Sequence, residues 1–148
     1  PFVVLVPADH PLTAHAVIDS ALLSDEDLLL LGPGHCFREQ VLEACPELMQ
    51  KLNQQSRKDA VRNLVTEGSS LETIRHMVAS GLGISVLPLS AAGEDRYPPG
   101  LLATRPFAAP VPFRTVGLAW RVTFPRPKAI DMLSLAAGQC RVLPRNAA

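Results

Sequence analysis

The sequence lacks the features that mark a chain for a membrane, for secretion or for nucleic acid. No apolar stretch approaches the roughly 20 residues of a bilayer-spanning helix, and the first residues lack the basic-then-apolar order of a signal peptide. Basic and acidic residues balance at 14 each, and no run of five like charges occurs. We therefore expect a cytoplasmic chain that contacts no membrane and does not bind nucleic acid by itself.

Cysteine is scarce, and the three cysteines form no metal motif. An odd number of cysteines argues against the disulfide framework of a small secreted protein. Neither a CxxC spacing nor a paired His–Cys pattern occurs, so a zinc site is not expected. Phosphate-binding glycine loops and the GxSxG motif of hydrolases are also missing, and we expect no cofactor. The chemistry of individual thiols is what remains.

The hydrophobic content is high enough for a compact fold. At 47% hydrophobic residues in 148, the chain has enough apolar surface for one ordinary domain. It begins at Pro1 without a methionine, and we expect it to be part of a longer protein. Continuous apolar runs predict buried strands at residues 2–6 and 28–31, and the mainly apolar run at 84–87 before Pro88 predicts another. Helical patterns between these runs indicate an α/β fold.

Helix and strand signals divide the rest of the chain. The remaining predicted elements are a helix from Cys36 to Cys45, a helix from Pro46 to about Gln55, a short strand at 63–67, a helix capped by Ser69 with Glu72, a short strand near Leu101, a strand at 115–122 and a helix from Lys128 to about Val142.

Cys36 is the first candidate reactive residue. It follows a Gly-Pro-Gly-His loop at the predicted start of a helix, where free N–H groups and the helix dipole favour a negative charge. His35 and Arg38 add positive potential nearby, and thiolate character with solvent access makes a cysteine react with oxidants. An inert cysteine in a strand-to-helix turn explains the local pattern equally well.

Cys45 lies nine residues further along (45 − 36 = 9). On one helix this separation corresponds to roughly 13 to 15 Å between Cα atoms, against about 4.4 to 6.8 Å in a disulfide. The two cysteines can therefore bond only if the helix breaks. A small core residue at the end of a helix is an equally compatible interpretation of Cys45. Cys140, in the last predicted helix, belongs to no motif.

Three segments resemble one family. GHCFREQVLEAC at residues 34–45 is similar to the redox segment of the OxyR family, the hydrogen-peroxide sensors among LysR-type transcriptional regulators. SSLETIRHMVASGLGISVLP at 69–88 and RTVGLAWR at 114–121 resemble later segments of the same family. The resemblance covers nearly the whole chain.

The resemblance implies a fold and a division into domains. Effector domains of this family have two α/β subdomains built like a periplasmic binding protein. By resemblance, residues 1–113 form the complete second subdomain, which carries the redox cysteines. Residues 114–148 contribute a returning strand and a C-terminal helix to a first subdomain that is only partly present. Binding to promoter DNA and RNA polymerase would then belong to the full-length protein.

The resemblance also implies roles for individual residues. Cys36 would be oxidised by hydrogen peroxide to a sulfenic acid, and Cys45 would condense with it to a reversible disulfide. His35, Arg38 and Arg114 match positions around the family's reactive thiol. The implied partners are hydrogen peroxide, a glutaredoxin or thioredoxin-type reductant and further copies of the chain, as a dimer or as a tetramer of the parent protein.

Two other functions compete with a stoichiometric redox sensor. One is a LysR-type effector domain that binds a small organic inducer and keeps its cysteines reduced; the cysteine spacing argues against it. The other is a thiol peroxidase, which would use the same two cysteines for repeated turnover with an external reductant. We expect a sensor rather than an enzyme.

Overall fold

The computed structural model describes residues 1–55, 66–92, 98 and 100–140. By its internal contacts the chain divides into two compact units, Pro1–Arg114 and Thr115–Ala148. A sheet with its flanking helices makes up the first unit, and the described part of the second contains one α-helix. Among the described residues, every helix is too short or too polar to cross a lipid bilayer.

A mixed five-stranded sheet forms the centre of the first unit. Its strands are Phe2–Pro7 (β1), Leu28–Leu31 (β2), Thr66–Gly68 (β3), Ile84–Pro88 (β4) and Leu102–Pro106 (β5). The spatial order is β3-β2-β4-β1-β5, in which β2 runs parallel to β3 and β4, and β1 runs antiparallel to β4 and β5. The prediction of an α/β fold is confirmed by this arrangement.

Three of the strands are almost entirely apolar because they are covered on both faces, and the one polar side chain in their buried parts, Ser85, donates its hydroxyl to the carbonyl of Leu29 at 2.8 Å. All of β2 and β4, and β1 from Phe2 to Val6, are buried. Burial of each large aliphatic side chain stabilises the fold by about 1.5 to 3 kcal/mol. The strands predicted from the three apolar runs are confirmed. The short strand expected near Leu101 is β5, and β3 overlaps the one expected at 63–67, of which 63–65 lie outside the described residues.

Four α-helices and three 3₁₀ helices complete the described chain. They are Cys36–Ala44 (α1), Pro46–Gln55 (α2), Leu71–Ala79 (α3) and Pro127–Gln139 (α4), with 3₁₀ helices at Pro11–Ala14, Ser20–Asp25 and Leu89–Ala91. Helix α2 begins at Pro46, as predicted, because proline lacks an N–H group that the first helical position does not need.

The cap of α3 differs from the prediction. The sequence suggested Ser69 as the N-cap with Glu72 as its partner, but the cap is Ser70, whose Oγ accepts the N–H of Thr73 at 3.1 Å. A capping oxygen accepts the N–H two or three residues further on, and here that N–H belongs to Thr73, three residues after Ser70. Gly68, at the end of β3, lies so close to Ile74 that a Cβ there would be 2.7 Å from its Cγ1. The end of β3 therefore packs directly against α3.

The second unit lacks the strand that was predicted at residues 115–122. Apolar residues occupy every second position of this segment, as they do in a strand. None of them lies in a strand, however, and all four are exposed: Val116, Leu118, Trp120 and Val122. A strand obtains its hydrogen bonds from a neighbouring strand, and no described strand pairs with this segment. Helix α4 runs from Pro127 to Gln139 rather than from 128 to 142.

Candidate functional site

Cys36 is the first residue of α1 and is exposed. The loop before it turns at Gly34, whose φ of +91° lies in the region that favours glycine. His35 is the N-cap, and in the described structure its exposed side chain makes no capping hydrogen bond. The N–H groups of a first helical turn have no acceptor within the helix, so they can stabilise a negative sulfur. The Cys36 thiol is thus open to a small oxidant.

Arg38 connects the first turn of α1 to the sheet. Its Nη1 donates to the carbonyl oxygen of Leu31 at 2.8 Å and lies 3.3 Å from Oε1 of Glu67. The Arg38 side chain is only 14% exposed. Arg38 lies two residues after Cys36 on the helix, and residues at this spacing point to different faces. The contacts of Arg38 with Leu31 and Glu67 therefore hold the helix that carries Cys36. The expectation that Arg38 also acts on the Cys36 sulfur stays a prediction.

Arg114 lies beside α1 although it is 77 residues from Phe37 in the chain (114 − 37 = 77). Its guanidinium carbon is 5.4 Å from the centroid of the Phe37 ring, within the range of a cation–π contact. The Phe37 ring packs edge-on against Phe2, with centroids 5.3 Å apart and planes at 85°. The structure therefore places the cation next to the residue that follows Cys36.

Cys45 occupies the junction between α1 and α2 and is fully buried. Its N–H donates to the carbonyl of Val41, and its own carbonyl accepts the N–H of Leu48, both at 3.0 Å. Burial, and secondly the negative charge of Glu47, raise the pKa of the Cys45 thiol from 9.0 to about 11. Near neutral pH this thiol is protonated and shielded from solvent.

Cys36 and Cys45 differ in their exposure and in their position on the helix. All three cysteines of the chain are free thiols, Cys36 and Cys140 exposed and Cys45 buried. Cys36 begins α1 and Cys45 directly follows it, so their Cα atoms are about 13 Å apart. The arrangement offers one accessible thiol for attack on an oxidant and one protected thiol that must move before the two can bond.

Three residues of the site were missed by the sequence analysis. Glu67 pairs with Arg38, Glu47 acts on the Cys45 thiol, and Ser20 donates to Oε2 of Glu47 at 3.3 Å. Each contact except that of Glu47 with Cys45 joins residues at least 27 positions apart, which no local pattern indicates. Glu47 lies only two residues from Cys45, and its charge beside a cysteine was the one usable signal.

Comparison with known proteins places the chain in one family. Residues 1–140 match the LysR substrate binding domain. A probable hydrogen peroxide-inducible genes activator from Mycobacterium leprae is 34% identical over 140 residues, which is 93% of this chain and 41% of that protein. The DNA-binding transcriptional dual regulator OxyR of Escherichia coli K12 is 33% identical over 136 residues, 92% of this chain and 41% of that protein.

A solved structure agrees with these relatives. The reduced form of the OxyR regulatory domain from Pseudomonas aeruginosa is 58% identical and superposes with a TM-score of 0.79 over 95% of this chain and 62% of that one. The chain spans about 41% of the length of the curated relatives it matches.

Proposed function

This chain belongs to the family of LysR substrate-binding domains, and we propose that it is the redox-sensing part of a peroxide-responsive transcription regulator. The observation that carries the proposal is the pair of thiols on α1, with Cys36 exposed at its first residue and Cys45 buried directly after its last. The relatives named as hydrogen peroxide-inducible activators support the choice of peroxide as the oxidant.

The proposed reaction has two steps. The Cys36 thiolate attacks one peroxide oxygen, so that an S–O bond forms, the O–O bond breaks and the other oxygen leaves as water after taking a proton. Cys45 then attacks the Cys36 sulfenic acid, which forms the S–S bond and releases the second oxygen as water. In sum one peroxide is reduced by two electrons and two thiols become one disulfide.

We assign supporting roles to three further residues. Arg114 contacts the ring of Phe37, the residue after Cys36, and His35 is exposed at the N-cap, the residue before it; we propose that both act on the attacking sulfur and the departing oxygen. Arg38 holds the first turn of α1 through Leu31 and Glu67. A cation near a thiol favours its ionised form, so Arg38 and Arg114 are proposed to favour reaction at Cys36.

The remaining properties concern the whole regulator. We propose that residues 1–113 form the second effector subdomain and 114–148 part of the first, in a cytoplasmic protein that pairs with further copies of itself. Promoter DNA and RNA polymerase would be contacted by the full-length protein, and a glutaredoxin or thioredoxin-type reductant would reset the disulfide. The relatives are transcriptional regulators, which favours a sensor that reacts once over a turnover enzyme.

Mass spectrometry tests the proposal. The full-length regulator is treated with a brief, near-stoichiometric dose of hydrogen peroxide, and the cysteine peptides are mapped. We expect the loss of two hydrogen atoms and a link between the peptides of Cys36 and Cys45. Cys140→Ser, which removes the exposed cysteine outside α1, should react in the same way. Unlinked Cys36 and Cys45 peptides in a sample whose other thiols have been oxidised would contradict the proposal.

A second assay separates the sensor from the enzyme. Peroxide consumption is followed with an excess of a thioredoxin or glutaredoxin system. A sensor is expected to consume little more than one equivalent per chain over the time in which its disulfide is reset. Continuous consumption at a rate proportional to the reductant would indicate a thiol peroxidase instead.

A further inference from the structure

The surroundings of Cys45 contain a side-chain contact that the proposed chemistry does not use. Glu47 lies in the first turn of α2, two residues after Cys45, and its Oε2 accepts the hydroxyl of Ser20 at 3.3 Å. Ser20 begins the 3₁₀ helix Ser20–Asp25. The hydrogen bond therefore joins the start of α2 to a separate element of the fold.

Ser20 is attached to a fixed part of the molecule. Two residues earlier, Ile18 is fully buried, donates its N–H to the carbonyl of Pro106 and accepts the N–H of Ala108, both at 2.8 Å. Leu23 anchors the same 3₁₀ helix in the core with no exposed surface. A side chain held by Ser20 is thus restrained relative to the sheet.

Glu47 also acts on the Cys45 thiol by its charge. After burial, it is the second cause of the raised pKa of Cys45, because a carboxylate next to a thiol disfavours the thiolate. Among the described residues, Glu47 is the charged group that raises the pKa of Cys45. Glu43 lies two residues before Cys45 and is exposed, so solvent screens its charge more strongly.

We propose that Glu47, held by Ser20, is a positioning residue that keeps Cys45 buried and unreactive until Cys36 has been oxidised, and so sets the rate of disulfide closure. The inference rests on the proposed function. It gives the two thiols an order of reaction: peroxide meets Cys36 first, and Cys45 reacts only after the start of α2 has separated from Ser20.

The step that Glu47 controls is the second one. Cys45 loses its proton and attacks the sulfur of the Cys36 sulfenic acid, the S–S bond forms, and the S–O bond breaks. The oxygen leaves with the electron pair of that bond and with two protons as water. The Cys36 sulfur is reduced and the Cys45 sulfur is oxidised, so peroxide remains the net oxidant.

Three variants of the full-length regulator separate charge from restraint. Glu47→Gln removes the charge and keeps an oxygen that can accept from Ser20. Ser20→Ala removes the hydrogen bond and keeps the charge. Glu43→Gln is the matched control, because it removes an equal charge at the same distance in sequence from Cys45. Thermal unfolding of each reduced variant verifies that it folds.

The first measurement uses the reduced protein without peroxide. Alkylation of Cys45 by iodoacetamide is followed over pH by mass spectrometry of its peptide. Glu47→Gln should shift the profile to lower pH and react about two- to fourfold faster at pH 8, since a lower pKa raises the thiolate fraction more than it lowers nucleophilicity. Ser20→Ala should react about two- to fivefold faster at every pH, as expected for the loss of one modest hydrogen bond. Glu43→Gln should match the unchanged protein.

The second measurement follows disulfide closure after a peroxide pulse. Formation of the sulfenic acid should be unchanged in all three variants, and closure should be faster in Glu47→Gln and Ser20→Ala by the factors given above. Equal rates in these two variants and the unchanged protein would overturn the inference, as would an effect of only one of them or an equal effect of Glu43→Gln. If the unchanged protein forms no Cys36–Cys45 disulfide, the proposed function fails, whereas altered alkylation without peroxide still reports the restraint on Cys45.

Discussion

Closing a disulfide between Cys36 and Cys45 requires α1 to lose at least its last turn. The nine-residue separation corresponds to about 13 Å along a helix, and a disulfide needs Cα atoms within about 7 Å. An extended residue spans at most about 3.5 Å, so roughly one turn must leave the helix before the chain can double back. That turn includes Leu42, which is 4% exposed, and ends at Cys45.

Leu42→Ala tests this geometry through the reduction potential. Removing a buried leucine side chain costs about 2 to 5 kcal/mol in the state that buries it. If Leu42 leaves the core on oxidation, only the reduced state is destabilised. At about 30 mV per 1.4 kcal/mol, the potential of the disulfide should become more negative by roughly 45 to 110 mV. Glu43→Ala, on the exposed side of the same turn, should shift the potential by much less.

Redox titration against glutathione buffers measures the potential of each variant. Amide hydrogen exchange on both redox forms locates the change. The N–H of Cys45, bonded to Val41 in the reduced structure at 3.0 Å, should lose its protection on oxidation. An unchanged potential in a Leu42→Ala protein whose reduced form is measurably destabilised would refute the reasoning. Retained protection of the Cys45 amide in a proven disulfide form would refute it as well.

Three further predictions concern the thiols and the cations. Cys36→Ser should abolish the peroxide-driven disulfide in mapped digests, and a disulfide that persists in this variant would exclude Cys36 as the attacking residue. Arg38→Ala and Arg114→Ala should each slow alkylation of Cys36 near neutral pH, because each removes a cation beside α1; identical rates across a pH series would exclude the electrostatic role. The reduced protein should lose about 2 to 3 kcal/mol of unfolding free energy between pH 9 and 11 relative to Cys45→Ala. Burial and Glu47 raise the folded pKa of Cys45 from 9.0 to about 11, so the unfolded thiol ionises first and alkaline pH favours unfolding. If the unfolding free energies of the two proteins, measured by urea titration, fall by the same amount over this pH range, the prediction is contradicted.

The sequence could predict the elements whose signals are local. Residues 2–6 and 28–31 are apolar at every position. This pattern is typical of a strand that is covered on both faces, and both runs are buried strands. The Gly-Pro-Gly loop and the helical spacing after it gave the position of α1, and Pro46 gave the start of α2. These patterns depend on neighbouring residues alone.

The errors arose where the outcome depends on a distant part of the chain. The cap of α3 is a local exception, because Ser69 and Ser70 are both acceptable caps and the sequence does not distinguish between them. The alternation at residues 115–122 describes a segment suited to a sheet, but a strand also needs a partner to pair with. The contact of Arg38 with Glu67 was hidden for a similar reason, because the two lie 29 residues apart (67 − 38 = 29).

The contacts at the two ends of α1 indicate which end would unwind. Its first turn is held by Arg38, which contacts Leu31 and Glu67, and by Phe37, which packs between Phe2 and Arg114. Its last turn is held mainly by apolar burial and ends at Ala44, and Pro46, two residues on, cannot extend the helix without losing a hydrogen bond. Apolar burial can be exchanged for another packing, whereas the ion pair and the carbonyl contact of Arg38 are specific to one geometry. Unwinding from the Cys45 end would therefore leave Cys36 in the same loop and first turn in both redox forms. An external reductant would then meet the Cys36 sulfur of the disulfide in the place where peroxide first met the thiol.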